Sequence, residues 1–487
     1  MKNRNFYISV SLGLFSFLTI IGLIGHEMWR DEMRVWLTAT KSADLSLLFD
    51  ELIYDGHPGL WYLLVRALSP ISQNPEIVKV LHFAVAATTA CLILKSECPI
   101  WQKCLLPLGY FFVYEYGVIS RNYSLGICLL IGAAVLHSRG RYRLSLCCLL
   151  PASLASVHAL VIALAFHIVL LFKLPKKGWA IFSSGLILFF FYLQFFAFNS
   201  RDGRESPEIT LSFERIIDYI ENVTYAFFPI PSNGINFWNQ MVALPPILSV
   251  LLFIVIISSI AYYFRSHRTI LAFLVAVFCL FLLLNIFFVS QALRHCGHFF
   301  VSFVIALIIS AARKLDADLL EEVSPRANSK AMDCCIGAVL CLHVILAVFA
   351  VKTDVERPFS NAKQTADFIK KNNLAAAPII VDWHPAGESL AAYLDKELVM
   401  YRASHFGYFT PNTQAVAETS AAELMNSAAS MAKTHKQDIL LILTYNADPL
   451  LLSFSSPELR VAKLFESNPK AIVDTEDYYV YLFSPTN

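Results

Sequence analysis

The stretch PGLWYLLVRALSP, residues 58–70, is apolar but carries Arg66 and ends at a second proline. A helix that crosses a hydrocarbon core needs about 20 apolar residues. This stretch is too short, and it reads as a helix half-sunk in the membrane interface. Every other assignment depends on that reading. With 58–70 set aside, about eleven apolar segments remain, near 6–25, 76–95, 103–120, 122–138, 143–157, 159–173, 179–198, 242–264, 269–289, 297–313 and 332–351. The loops on one side then carry Lys2 and Arg4, Lys95 and Lys103, SRGRYR (138–143), KLPKK (173–177), Arg265 and Arg268, and Arg313, Lys314, Arg326 and Lys330. Basic loops mark the cytoplasmic side. Counting 58–70 as a crossing would put SRGRYR and KLPKK outside.

Composition agrees. The chain has 487 residues, 57% of them hydrophobic and 15% charged, against about 25% charged in soluble domains, and its mean hydropathy is +0.57. This is the profile of an α-helical polytopic membrane protein. A net charge of +1 argues against a nucleic-acid partner. The first apolar segment lacks a small-residue cleavage site and runs into GHEMWRDE (25–32), so it reads as a retained helix with an inside N-terminus. The segments 143–157 and 159–173 are short enough to form a tight, tilted hairpin. The outer parts are then 26–75, 120–122, the turn at His158, 199–241, 290–296 and everything beyond 351.

The tail, 352–487, changes character. NAKQTADFIKKNN (361–373) reads as an amphipathic helix with Ser360 as N-cap. PIIVDW, DILLILTY and YYVYLF read as strands, and the Ala-rich stretch 414–433 as a helix. This alternation predicts a soluble C-terminal α/β domain outside the membrane. VDWHP (381–385) reads as a strand-to-helix turn, with a ligand-facing Asp382 as the alternative. RASHFGYFTPN (402–412) is expected either to rest on the membrane part or to pack within its own domain. The eleven cysteines lie between Cys91 and Cys341, so no disulfide staples the tail. Cys147–Cys148 and Cys334–Cys335 read as packing residues. P-loop, Rossmann and zinc-protease signatures are absent.

Functional residues converge on the outer face. Asp31 and Glu32 in WRDEMRVW (29–36) stand just above the bilayer, where carboxylates are costly. DGHPGLWYLL (55–64) brings His57 to the end of the same loop, with Pro58 placed to begin the short helix. ISRNYSLG (119–126) brings Arg121 and Tyr123 to a second tip, and His158 marks a third. LRHCGHFF (293–300) brings Arg294, His295 and His298 to a fourth. Interfacial anchoring explains any one of these; together they predict one water-filled outward cavity. An arginine fork binds phosphate bidentately, and a carboxylate nearby takes a proton from an attacking hydroxyl. A second carboxylate tunes the first, orients the acceptor or holds a divalent cation.

The Asp-Glu pair after the first span, the His-Pro at 57–58 and the Arg-x-Tyr tip at 121–123 together resemble the GT-C superfamily of integral-membrane glycosyltransferases. The branch is the bacterial one related to protein O-mannosyltransferases and lipid A aminoarabinose transferases. The resemblance covers about 1–350, and Gly59 stands where the His-Pro-Pro motif has its second proline. It implies a multi-pass protein of the bacterial inner membrane with a catalytic domain at 1–351. It also implies an inverting transfer, at the outer face, from a polyprenyl-phosphate-linked sugar to a glycan, lipid or protein. Asp31 would be the base and Glu32 its helper. Arg121 and Arg294 would contact phosphate, with His57, Tyr123, His158, His295 and His298 around the substrate. No cofactor is implied with certainty, and a divalent cation stays open. A transporter or lipid flippase would also place polar groups near a pathway, but no internal repeat of the transporter kind is visible. A structural scaffold leaves Asp31, Glu32 and Arg294 unexplained.

Overall fold

The computed structural model describes residues 2–55, 57–173, 177–192, 212–232, 237–287, 292–312, 329–411, 416–454 and 457–486. Its membrane part comprises α1 (Lys2–Gly25), α2 (Arg30–Lys41), α3 (Leu45–Asp55), α4 (Leu60–Arg66), α5 (Ile77–Leu94), α6 (Ile100–Leu105), α7 (Tyr123–Ser138), α8 (Tyr142–Ser153), α9 (Val157–Lys173), α10 (Lys177–Tyr192), α11 (Phe213–Phe227), α12 (Pro246–Tyr263), α13 (Arg268–Phe287), α14 (Leu293–Ser310) and α15 (Ser329–Glu356). Among the described residues six helices are long and apolar enough to cross a bilayer: α1, α5, α12, α13, α14 and α15. They are apolar all round, and the outer ones turn large side chains outward, as α12 does with Ile247, Leu251, Ile254 and Val255. Only a hydrocarbon solvent makes that arrangement favourable. α14 is the exception: 83% of its apolar window is buried inside the protein, against 17% for α12. It is the central helix, and its N-terminus carries Arg294, His295 and His298.

About eleven crossings were expected, and beyond these six the apolar segments are shorter or irregular. α7 and α9 are apolar but shorter, and they lie largely buried among neighbours. The segment 103–120 is not a continuous helix at all. After α6 it passes through a 3₁₀ turn at Leu106–Leu108 and a π-helical turn at Phe111–Glu115. Pro107 withholds an N–H, and a Cβ at Gly117 would lie 2.3 Å from the Val113 carbonyl oxygen. Irregular backbone at membrane depth persists only where protein covers it, and residues 106–124 are buried throughout. This broken segment delivers Arg121. The expected crossing at 179–198, the loop at 199–241 and the tip at 290–296 fall partly outside the described residues.

The stretch 26–75, expected as a loop with one short helix, holds α2, α3 and α4. The seven-residue α4 occupies the stretch read as too short to cross. It starts at Leu60 behind an N-cap at Gly59, not at Pro58. A Cβ at Gly59 would meet Phe49 at 2.9 Å and Leu52 at 3.1 Å, so close packing against α3 leaves no room for a second proline. Arg66 donates to the carbonyls of Ala39 and Ser42, each at 2.9 Å. It closes the C-terminal end of α2, where a cation is favoured.

Beyond α15 come α16 (Ala362–Lys371), β1 (Ile379–Val381), α17 (His384–Leu394), β2 (Leu398–Met400), β3 (His405–Gly407), α18 (Ala421–His435), β4 (Ile439–Leu443), α19 (Leu451–Phe454), β5 (Leu459–Glu466) and β6 (Tyr479–Pro485). The sheet order is β3-β2-β1-β4-β6-β5. β1 is parallel to β2 and β4, with Ile380 opposite Leu441, and β3, β5 and β6 pair antiparallel. The central strands IIV and ILLIL are buried on both faces, which explains their unbroken apolar runs. Asn361 stands at the N-cap position of α16 without a side-chain cap bond, while the Ser360 hydroxyl accepts the Ala362 N–H at 3.1 Å and donates to Glu476 at 2.5 Å. The Ala-rich helix starts later than 414, at Ala421, where Ser420 accepts from the Glu423 N–H. Asp382 follows β1 and takes Arg402 in a bidentate pair at 2.6 and 3.1 Å. One apolar cluster joins Met33, Trp36 and Leu37 of α2 to Leu390 of α17 and Leu440 of β4. The tail therefore shares its core with α2.

Candidate active site

The site begins where α1 stops. The chain turns at residues 26–29 and enters α2, whose third residue, Glu32, accepts the Trp29 N–H at 3.1 Å. A carboxylate there satisfies an orphan helix N–H and meets the positive end of the dipole. Glu32 also takes His26 Nε2 at 2.9 Å and the backbone N–H of Ser120. The other ring nitrogen of His26 meets Asp354 at 2.8 Å, and all three side chains are buried. Burial alone would lower the His26 pKa, but Asp354 and Glu32 outweigh it and push it up to about 10. An imidazolium between two carboxylates thus ties the ends of α1 and α15 to the start of α2 and to the tip at Ser120.

Asp31 faces elsewhere. Its Oδ2 lies 2.7 Å from Arg121 and 3.4 Å from Arg294, and its Oδ1 is 3.9 Å from Arg30. Burial would raise the Asp31 pKa, yet the Arg121, Arg294 and Arg30 charges prevail and hold it below the usual carboxylate value. The carboxylate keeps a quarter of its surface open, Arg294 19% and Arg121 10%, so a ligand can reach the group from solvent. The Arg294 guanidinium lies 5.8 Å from the ring centroids of both Trp29 and Trp238, within cation–π range. Tyr116 donates to the Arg294 carbonyl at 2.7 Å. Gly297, one turn on, lets α14 approach: a Cβ there would sit 2.4 Å from the Tyr116 hydroxyl and 2.5 Å from Phe111.

Next to the arginines is an aromatic cluster centred on Tyr123, whose ring lies 5.7 Å from the Arg121 guanidinium. The Tyr123 hydroxyl reaches His295 Nε2 at 3.0 Å and His57 Nε2 at 3.4 Å. His158 stacks on His295 at 4.4 Å and on His298 at 4.7 Å between centroids. Four histidines from two separate tips and the first loop meet here. Buried His158 Nδ1 and His298 Nε2 have no hydrogen-bond partner among the described residues, which leaves polar capacity for a ligand.

The tail braces α2 from above. Arg34 donates to Glu388 at 2.8 Å and to the Thr410 carbonyl at 2.6 Å, and its guanidinium lies 4.7 Å from the Phe409 ring centroid. Lys41 sits over Tyr408 at 4.3 Å. Tyr408, Phe409 and Thr410 of RASHFGYFTPN therefore rest on α2. The Arg30 backbone N–H donates to Glu476 at 2.9 Å. Burial raises the Glu476 pKa to about 7 against the opposing pull of Arg30 and Ser360.

The structure thus brings Asp31, Arg121 and Arg294 together, and sets Tyr123, His57, His158, His295 and His298 beside them. Glu32 is turned away, with its oxygens committed to three N–H donors. Residues 31 and 32 of one helix point about 100° apart, so they do not converge on one ion. Among the described residues no group of three His, Cys, Asp or Glu is placed to hold a metal. Sequence reasoning missed the His26–Asp354 link, the Trp29–Trp238 pair under Arg294, and Glu115, which accepts from Trp238 at 3.1 Å and Tyr110 at 3.3 Å. Glu115 left a signal: an acid within an apolar run.

This architecture, a bundle around one buried helix with a tail braced on α2, has a counterpart among solved structures. A particular solved structure makes the comparison concrete: ArnT from Cupriavidus metallidurans, bound to undecaprenyl phosphate, is similar with a TM-score of 0.51 at 13% sequence identity, over 98% of each chain. No protein-family model matches the sequence, and no curated protein sequence matches it.

Proposed function

We propose that this protein transfers a sugar from a polyprenyl-phosphate-linked donor to an acceptor hydroxyl at the outer face of the membrane. The observation that carries the reading is the Asp31 carboxylate held between Arg121 and Arg294. In the free site Asp31 is the anion that these guanidinium groups neutralise. A lipid-linked phosphate at the interface competes for them, because arginine forks bind phosphate strongly. As the arginines turn to the phosphate, Asp31 loses its counter-charges and gains an anion nearby, so its pKa rises. The carboxylate then accepts the proton of the acceptor hydroxyl. The acceptor oxygen bonds to the anomeric carbon, and the bond from that carbon to the phosphate oxygen breaks. Its electron pair leaves on the phosphate, whose added charge the arginines meet. A single displacement inverts the anomeric centre.

Glu32 acts here as a positioning residue: through His26, Trp29 and Ser120 it fixes the first turn of α2 and the tip that carries Arg121. The histidines and Tyr123 line the substrate side. The fold shared with a protein that binds undecaprenyl phosphate supports a polyprenyl carrier. The test is a screen of purified protein against short-chain polyprenyl-phosphate sugars, following release of polyprenyl phosphate. Release that depends on Asp31, Arg121 and Arg294 supports the reading. Folded protein that neither binds polyprenyl phosphate nor turns over any donor refutes it.

A further inference from the structure

Around α14 from the arginine pair lies a second concavity, of about 430 Å³, within the range of small-molecule sites. Ala292, Leu293 and Cys296 supply its α14 side, while Arg294 turns to Asp31. The opposite wall comes from the end of α11 and from the segment leading to α12. It presents Asn222, Tyr225, Ser232, Asn239, Gln240 and Met241, and no charged side chain among the described residues lines it. The wall is built and held. Ser232 donates its N–H to the Gln240 carbonyl at 2.7 Å, and Val242 to that of Ile230 at 3.0 Å. Asn239 sits in the left-handed region at φ 59°, which asparagine tolerates, and its Oδ1 accepts the Leu293 N–H at 3.2 Å. Cys296 donates to Asn222 Oδ1 at 3.2 Å. Asn222 is only 6% exposed, and its Nδ2 has no partner among the described residues.

The lining selects a ligand class. Three amides and two hydroxyls offer donors and acceptors in equal measure, as sugar hydroxyls require. Tyr225 and Met241 offer apolar surface to the C–H face of a ring. The described lining residues offer no cation to favour a phosphate and no carboxylate to favour an ammonium group. The phosphate belongs to the arginines next door. We propose that this pocket binds a neutral sugar ring, either the donor's own or the first ring of a glycan acceptor. The proposal rests on the glycosyltransferase reading above and names the sugar site for it.

The test uses the full chain in lipid nanodiscs, free of glycoside detergents, with saturation-transfer NMR on the methyl glycosides of glucose, mannose and galactose. At least one should receive magnetisation. Gln240→Ala, on an exposed residue, and Asn222→Leu should each weaken binding about threefold to tenfold, the range for one lost hydrogen bond. If no neutral glycoside binds, or if Gln240→Ala binds as well as wild type, the proposal is overturned. The source of the ring is read by comparing bare polyprenyl phosphate with its glucosylated form. If Gln240→Ala removes the extra affinity that the sugar confers, the ring is the donor's. If free glycoside still binds while that extra affinity is untouched, the ring is the acceptor's. Bare polyprenyl phosphate reports on the arginines alone. Its failure to bind, with glycoside binding intact, would count against the donor reading and leave the pocket standing.

Discussion

Glu32→Gln separates a positioning role from a chemical one. The two Glu32 oxygens receive His26 Nε2, the Trp29 N–H and the Ser120 N–H. Glutamine supplies one acceptor oxygen and an NH₂ that must face one of those donors, and it removes one of the two carboxylates around the imidazolium. Removing one partner of a buried ion pair costs about 3–5 kcal/mol. The pH dependence follows from His26. Its folded pKa of about 10 lies above its ordinary value of 6.5, so its contribution to stability is complete below 6.5 and is lost as pH rises through about 10. Wild-type protein should therefore lose stability progressively across that window. Glu32→Gln should start lower, and its decline should end at a lower pH and be smaller, because only one carboxylate then raises the folded pKa of His26. The assay is apparent unfolding temperature in nanodiscs across this pH range, with turnover measured per folded molecule at neutral pH. A Glu32→Gln protein with wild-type stability and pH profile but no turnover would refute the positioning role.

Arg121→Ala and Arg294→Ala should each weaken polyprenyl-phosphate binding at least tenfold, about 1.4 kcal/mol, and Lys should restore only part, since it lacks the planar fork; titration calorimetry reads both. Arg34→Ala leaves Glu388 buried without its guanidinium and should cost about 1–3 kcal/mol, seen as faster proteolysis of residues 352–487. Gly297→Ala forces a Cβ against Tyr116 and Phe111 and should cost about 1–3 kcal/mol by overpacking, with weaker phosphate binding because Arg294 moves with α14. A reporter fused after the last residue should be active outside the cytoplasm; activity inside would invert the proposed topology.

Much of this was legible in the sequence because the cost of placing a residue in hydrocarbon is local. Apolar length alone marked α1, α5, α12, α13, α14 and α15, and the same arithmetic kept 58–70 from crossing. PIIVDW and DILLILTY were readable as strands because parallel central strands are apolar on both faces. Asp31, Arg121 and Arg294 stood out because charge at the edge of an apolar segment needs a reason. What stayed hidden depends on direction and partnership. Asp31 and Glu32 look like one pair in sequence, but adjacent helix positions diverge, and only the partners reveal which faces solvent. The break at 103–120 left traces in Pro107, Gly109 and Gly117, outweighed by the hydropathy of the stretch. The bond from His26 to Asp354 spans 328 positions and leaves no periodic signal. Nor does the tail's shared core with α2, since Met33 and Trp36 read equally well as interfacial anchors.

The most direct measurement is donor binding and turnover on one folded preparation of Asp31→Asn. Asparagine keeps the shape of Asp31 but cannot take the acceptor's proton, and it no longer neutralises Arg121 and Arg294. Turnover should fall by about 10²–10⁴, the usual cost of losing a general base, while polyprenyl phosphate binds as tightly as to wild type or tighter. Near-wild-type turnover in that preparation would contradict the account.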